Sequence, residues 1–136
     1  MPGPQAGTGD GTQTAERPPR LGVLRKRSDF LAARTGRKAA RPGFVLQARE
    51  RAPAEADPEL VRVGFTCSKK VGNAVTRNRA RRRLREVARL ILPAHGRPGW
   101  DYVLVGRRDS TIARDFSLLQ DDLAAALARI HGKNGT

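Results

Sequence analysis

The sequence predicts a small α+β fold, a two-layer sandwich of three helices on a roughly four-stranded sheet, in the order α-β-β-β-α-β-α. Three observations predict it. The chain has 136 residues, enough for one hydrophobic core and too few for two. Short apolar runs with strand patterns lie on both sides of a long segment with helical periodicity. Strands and helices do not alternate regularly, which favours α+β over a parallel α/β sheet.

The domain boundaries follow from composition. Residues 1–19 contain four Pro and four Gly and no large hydrophobic residue beyond Met1, so they are predicted to be disordered. Residues 20–130 form the predicted domain, and residues 131–136 are expected to fray. Residues 20–41 carry eight Lys and Arg against one acid. That segment is one half of a predicted positive surface.

The first predicted helix covers about residues 28–34. Ser28 is a favourable N-cap residue, and Thr35 with Gly36 can end the helix. Because two turns are marginally stable alone, packing against the rest of the domain must hold this helix.

Two apolar segments predict a hairpin. Residues 43–50 alternate between two faces, with Phe44 and Leu46 on one and Val45 and Gln47 on the other. Residues 60–67 are predicted to be the second strand, and Cys67 a small buried residue within it. Residues 51–59, rich in Pro and acids, form the loop between them. A further short strand fits near residues 66–70.

Residues 68–89 (SKKVGNAVTRNRARRRLREVAR) hold nine of the 27 Lys and Arg and one acid, a net charge of +8. An apolar stripe at helical spacing predicts that one side packs on the core: Val75, Ala80, Leu84, Val87, Ala88 and Ile91. Asn73 is the expected N-cap, and Pro93 the expected end about five turns later. Arginines this close repel one another, which predicts a polyanionic partner. A merely solvated basic face would not need the apolar stripe.

The C-terminal half supplies a strand and a helix. Residues 100–106 (WDYVLVG) are almost continuously apolar, which predicts a central strand buried on both faces. The last helix is predicted from Asp115 to Ile130, with a core-facing stripe of Phe116, Leu119, Leu123, Leu127 and Ile130. Asp121 and Asp122 are predicted to face solvent.

The net charge of +14 favours a binding protein with a nucleic-acid or acidic-membrane partner. One cysteine excludes an internal disulfide, and the isolated His95 and His131 are interpreted as surface histidines. No pair of acids is placed for metal-assisted cleavage, so we predict no catalytic residue, no protein metal site and no small-molecule substrate. No apolar run reaches membrane-spanning length and no secretory signal is recognisable, so we expect a cytoplasmic protein without a membrane partner.

The string SKKVGNAVTRNRARRRLRE resembles the signature of the bacterial ribonuclease P protein component, and the resemblance extends over roughly residues 20–130. It implies a left-handed β-α-β crossover around the basic helix. It also implies two partners, ribonuclease P RNA and precursor tRNA. The chain would be the protein subunit of an endoribonuclease that removes the 5′ leader, with catalysis in the RNA subunit and Mg²⁺ held mainly by that RNA.

The resemblance assigns two sets of residues. Those expected to dock on the RNA are Lys69, Lys70, Arg77, Asn78, Arg79, Arg81, Arg82 and Arg85. Those expected to contact the leader are Phe30, Arg34, Phe44 and Gln47. Phe30 is equally compatible with an ordinary core residue. Arg34 stands where many relatives carry a second aromatic residue, and Gln47 stands where some relatives carry a tyrosine.

Other classes stay open from the sequence. A basic structural or ribosomal RNA-binding protein would show the same charge and the same lack of paired acids. A protein-only RNA-cleaving enzyme would need an acid cluster, and a DNA-binding protein would need helix-turn-helix spacing. The Lys-Lys to Arg-Asn-Arg string favours ribonuclease P over all three.

Overall fold

The structure, a computed structural model, describes residues 20–55 and 57–132. The predictions for residues 1–19 and 133–136 lie outside the described residues. The elements in chain order are β1 (Leu21–Val23), α1 (Arg27–Arg34), β2 (Arg37–Ala40), β3 (Phe44–Glu50), β4 (Val61–Thr66), a 3-10 turn (Lys69–Val71), α2 (Ala74–His95), β5 (Trp100–Gly106), α3 (Ser110–Ala113) and α4 (Phe116–His131). The α+β class is confirmed, but the described part has five strands and four α-helices.

The five strands form one sheet in the order β1-β4-β5-β3-β2. β5 is central, as predicted, parallel to β4 and antiparallel to β3. The predicted hairpin of residues 43–50 with 60–67 is wrong, because β5 lies between those strands. Their nine-residue connection has no tight-turn signal that would force them to pair. β4, α2 and β5 form a crossover between parallel neighbours, and its left-handedness stays a prediction.

Three short segments depart from the prediction. β1 and β2 have only three and four residues and no alternating apolar pattern, so neither was predicted as a strand. Residues 66–70 contain a 3-10 turn in place of the suggested strand, with the Lys70 N–H donating to Ser68 Oγ (3.3 Å). Ser28 does not cap α1, because the helix already begins at Arg27.

The helices lie on both faces of the sheet, which corrects the two-layer prediction. α2 and α4 cover the face that carries the larger core, including Phe44, Leu46, Tyr102 and Leu104. α1 packs on the opposite face, where Leu24, Ala33 and Val103 form a second, smaller cluster. The second cluster places α1 directly above the sheet residues that form the candidate site.

α2 carries most of the candidate RNA-binding residues. Asn73 Oδ1 accepts a hydrogen bond from the Thr76 N–H (2.9 Å), which confirms the predicted cap. The helix passes through Pro93 to His95, so the predicted end is wrong. A proline in the last turn removes only one intrahelical donor, and the affected turn is exposed to water. Val75 is also not part of the packed stripe, because its side chain is 77% exposed.

α4 confirms the predicted apolar stripe, with two corrections. Asp122 is buried and accepts hydrogen bonds from the Gly43 N–H (3.0 Å) and Arg114 Nε (2.8 Å). His131 is neither frayed nor at the surface: Nε2 lies 2.7 Å from the Tyr102 hydroxyl oxygen, and the imidazole packs edge-on against Trp100. Burial lowers the pKa of His131 to about 4.

An ion cluster closes one end of the sheet. Asp101 in β5 is fully buried and accepts hydrogen bonds from Arg51 Nη1 (2.7 Å) and from Arg62 Nε and Nη2 (both 2.8 Å). Arg62 Nη2 also lies 3.6 Å from the Asp29 carboxylate in α1. The cluster therefore ties α1, β4 and β5 together.

Candidate RNA interface

A cleft of about 420 Å³ opens between α1 and the sheet. α1 contributes residues at positions i, i+3, i+4 and i+7, which share one helix face: Arg27, Phe30, Leu31 and Arg34. The other wall is lined by Gln47, Thr66, Ser68, Val103 and Val105. The cleft thus has an apolar centre with an arginine from each end of α1.

Phe30 packs against the small core cluster and also lines the cleft. Its position is therefore compatible both with a core residue and with a residue that contacts the leader. Its ring rests on Gly64 of β4. A Cβ added at Gly64 would lie 2.6 Å from two Phe30 ring atoms, so this close approach requires glycine.

Arg34 and Gln47 line the cleft together, but Phe44 does not. Phe44 is fully buried on the opposite face, beneath the α2–α4 layer, because side chains alternate along β3. We therefore remove Phe44 from the leader-contacting set. Lys38 in β2 is the direct cross-strand partner of Gln47 and is exposed on the cleft side of the sheet. The sequence reasoning missed Lys38 because β2 was not recognised as a strand.

The six arginines of α2 between residues 77 and 85, together with Asn78, divide into three groups. Arg77, Arg81 and Arg85 follow the helix edge beside the end of β4, where Arg81 lines a notch and the Arg85 guanidinium lies 5.6 Å from the Phe65 ring centre. Asn78, Arg79 and Arg82 are exposed, and Asn78 Oδ1 accepts a hydrogen bond from Arg81 Nη1 (2.9 Å). Arg83 stands apart, on the other edge.

The Arg83 guanidinium makes its contacts within the protein. Its Nε donates to the Thr111 carbonyl (3.0 Å), its Nη2 donates to the Arg114 carbonyl, and its guanidinium lies 5.8 Å from the Phe116 ring centre. It therefore fastens α2 to α3 and to the start of α4.

Lys69 and Lys70 are exposed in the 3-10 turn before α2. Lys70 lines a second opening, of about 410 Å³, with Ser68, Arg107, Arg108 and Ser110. Residues 108–110 form a tight γ-turn there, with Asp109 at φ 65° and the Ser110 N–H donating to the Arg108 carbonyl (2.7 Å). Ser68 belongs to this opening and to the cleft, so the two are contiguous.

None of the described residues that line the cleft or either neighbouring opening is acidic. Several acids lie near the ion cluster, where a hydrogen bond from Arg49 holds the pKa of Glu55 below its usual value. Cys67 is buried as predicted, just beyond β4, and burial raises the pKa of its thiol against the opposing influence of Arg81.

Over residues 20–55 and 57–132, no group of three or more His, Cys, Asp or Glu side chains could hold a metal ion. In the same ranges, no helix combines the length and apolar character needed to cross a membrane.

The fold and this surface together define a basic α+β protein suited to bind a polyanion such as RNA. The model of the ribonuclease P family matches residues 19–131, so the chain belongs to the ribonuclease P protein family. It is similar to the ribonuclease P protein component of Ruegeria pomeroyi (60% identity, covering 82% of this chain and 87% of the relative) and of Paramagnetospirillum magneticum (53%, covering 82% and 84%). The solved ribonuclease P protein of Thermotoga maritima matches with a TM-score of 0.62 and 29% identity, covering 81% of this chain and 98% of that chain.

Proposed function

We propose that this chain is the protein subunit of ribonuclease P, binding the RNA subunit through α2 and the 5′ leader of precursor tRNA in the cleft. One observation carries the proposal: the cleft and the arginine edge of α2 form one continuous surface without an acidic lining residue. Arg27, Phe30 and Thr66 line the cleft and also the notch that reaches Arg81. A single RNA strand can follow this path without leaving positive surface.

The cleft has the chemistry for a short stretch of leader. Phe30 and the apolar floor accept the face of a base, and Arg27 and Arg34, about 10 Å apart along α1, attract phosphates at its two ends. Gln47 can donate to or accept from a base edge or phosphate. Because Arg34 and Gln47 are not aromatic, leader binding should depend more on charge than on stacking.

The exposed residues of α2 have the chemistry for docking on the RNA subunit. Arg79 and Arg82 present planar forks that bind phosphates bidentately, and Lys69 and Lys70 add point charges beside them. Asn78 supplies the one side-chain amide in this group, with both donor and acceptor capacity. Bringing two RNAs together on one cationic subunit reduces the repulsion between them.

Hydrolysis of the phosphodiester bond is proposed to occur in the RNA subunit, with Mg²⁺ bound to RNA. The cleft offers guanidinium, hydroxyl and amide groups and no carboxylate, a donor set that does not fit Mg²⁺. Action in the cytoplasm stays a prediction.

The test is cleavage of a leader-bearing precursor tRNA by a bacterial ribonuclease P RNA at low Mg²⁺, with and without the protein. We expect stimulation by the wild type and little by a variant with Arg77, Asn78 and Arg79 changed to Ala. A matched variant with Arg20 and Arg129 changed to Ala loses the same charge away from α2 and should stimulate normally.

Two outcomes would contradict the proposal. Cleavage by the protein without RNA would place catalysis in the protein. Absence of stimulation, together with selective binding of ribosomal RNA, would favour a structural RNA-binding protein.

A further inference from the structure

A notch of about 390 Å³ is lined by residues from the start of α1, the end of β4 and α2, and it meets the cleft at Phe30. Its described lining combines three arginines with two aromatic rings: Arg25, Arg27 and Arg81, with Phe30 and Phe65. Arg25 lies in the connection before α1, Arg27 is the first residue of α1, and Arg81 comes from α2. Residues remote in the sequence thus build one site with both cationic and aromatic walls.

Phe65 is the unusual member of this set. It follows Val61 and Val63 on the α2 side of β4, yet those two valines are buried and Phe65 is only half-buried. At this end of β4, α2 presents arginines instead of apolar residues, and the Arg85 guanidinium lies 5.6 Å from the Phe65 ring centre. The ring therefore lies within the positive surface and is not sealed in the core.

The chemistry of the notch fits one unpaired nucleotide. Aromatic side chains stack on bases regardless of base identity, and an arginine beside the ring adds cation–π attraction and a bidentate phosphate contact. A double-stranded segment would not fit, because its bases are already stacked and its edge is wider than a single-nucleotide notch. A protein partner with acidic side chains would use the arginines but leave the two rings without a role.

We propose that the α1–α2 notch binds a single unpaired nucleotide of RNA, its base against Phe65 and its phosphate against Arg25, Arg27 and Arg81. The inference rests on the proposed function. The nucleotide belongs either to the ribonuclease P RNA or to the leader of the precursor, since both offer the same chemistry.

The first test compares Phe65→Leu, which keeps an apolar side chain for the core, with the wild type. Two quantities are measured: the Kd for ribonuclease P RNA without substrate, and kcat/KM for precursors with two-nucleotide and ten-nucleotide leaders. Stacking loss should cost about five- to tenfold in one of these quantities. A weaker Kd for the RNA subunit assigns the nucleotide to that RNA, whereas a loss confined to the long leader assigns it to the leader.

Phe116→Leu is the matched control. Phe116 also lies under an arginine of α2, but on the opposite edge, where Arg83 is held by main-chain carbonyls. This control should leave RNA affinity and leader dependence unchanged. Equal losses in the two variants would mean that the rings act only through folding and would overturn the proposal.

A second readout separates stacking from packing. Trp100 is the chain's single tryptophan, so Phe65→Trp adds one emitter at the notch. We expect RNA to quench the added emission and the variant to retain wild-type affinity. If the wild type stimulates cleavage while Phe65→Leu binds and cleaves like it, the notch proposal fails and the proposed function stands. If the wild type neither binds nor stimulates, both fail.

Discussion

Arg82 and Arg83 are neighbours on α2, yet the structure gives them opposite roles, and changing each to Ala separates RNA contact from stability. Each change removes one positive charge, so the long-range field falls equally. Arg82 is exposed and makes no hydrogen bond or ion pair within the described residues, whereas Arg83 donates to two carbonyls and lies over Phe116. The difference between the two variants therefore reports local contacts.

The magnitudes follow from those contacts. Arg83→Ala loses two charge-assisted hydrogen bonds and a cation–π contact, about 2–4 kcal/mol after allowance for partial exposure, or a fall of roughly 10 °C in the unfolding midpoint. Arg82→Ala should leave the midpoint unchanged. Its effect should appear in RNA binding, where losing one phosphate contact lowers the slope of log Kd against log salt by about 0.7–0.9.

The assay is thermal unfolding of each free variant, followed by titration with ribonuclease P RNA at several salt concentrations, below the lower midpoint. Arg83→Ala should bind with nearly wild-type salt dependence once folded. The reasoning would be refuted if Arg83→Ala kept full stability and lost the RNA contact, or if Arg82→Ala unfolded early and kept the wild-type slope.

Three further predictions concern the core and the cleft. Asp101→Asn leaves a buried guanidinium without its carboxylate partner and should lower the free energy of unfolding, measured in urea, by about 3–5 kcal/mol. A decrease of less than about 1 kcal/mol would contradict the role given to the ion cluster. His131 has a folded-state pKa of about 4, below its usual value, so the unfolded state binds the extra proton. The contribution of His131 to the free energy of unfolding should be complete above about pH 6.5 and should decline as the pH falls toward 4, by no more than about 1.4 kcal/mol per pH unit. His131→Gln should flatten that decline when the free energy of unfolding is measured across this pH range. Gly64→Ala should displace Phe30 and raise KM roughly several-fold for long leaders only, since α2 is untouched; an equal rise for short leaders would contradict this.

Local patterns in the sequence were sufficient for the basic helix, the central strand and the last helix. Their apolar residues recur at intervals that only one type of element can bury, as the buried Ala80, Leu84 and Val87 illustrate. Local patterns were not sufficient to predict which strands are neighbours in the sheet. Nothing in the sequence near residues 43–50 indicates that β5 lies between them and β4, because strand pairing depends on how the whole domain buries its apolar faces.

Single polar residues inside apolar segments were the other source of error. Asp101 sits in a run that otherwise indicates burial, and its partners Arg51 and Arg62 lie 50 and 39 residues away. Asp122 and His131 were placed at the surface because polar residues usually lie there, yet each finds a buried partner from another element. Such partners become visible only when the tertiary structure brings them together.

In the candidate site, the α2 residues could be predicted from one contiguous sequence motif. The residues that line the cleft could be assigned only from the three-dimensional structure. Phe44 and Gln47 are three residues apart in one strand and therefore point to opposite faces, so both could not contact the leader. Lys38 could be placed on the cleft side of the sheet only through its register with Gln47. The alternation rule would have excluded Phe44 once Gln47 was assigned to the cleft.

The arrangement of charge along the sheet explains how one small domain can be both stable and strongly cationic. Asp101 marks the end of β5 where the arginines are paired, and the acidic loop of residues 51–59 lies at that end, with Asp57 and Leu60 accepting through their carbonyls from Arg51. Val105, in the open part of the cleft, lies four residues further along β5, about 13 Å away. The Asp101 carboxylate is also hydrogen-bonded to Arg51 and Arg62, which offset its charge. An RNA phosphate at the open end of the cleft is therefore attracted by the α1 and α2 arginines, and the acid that holds the sheet together is both distant and paired.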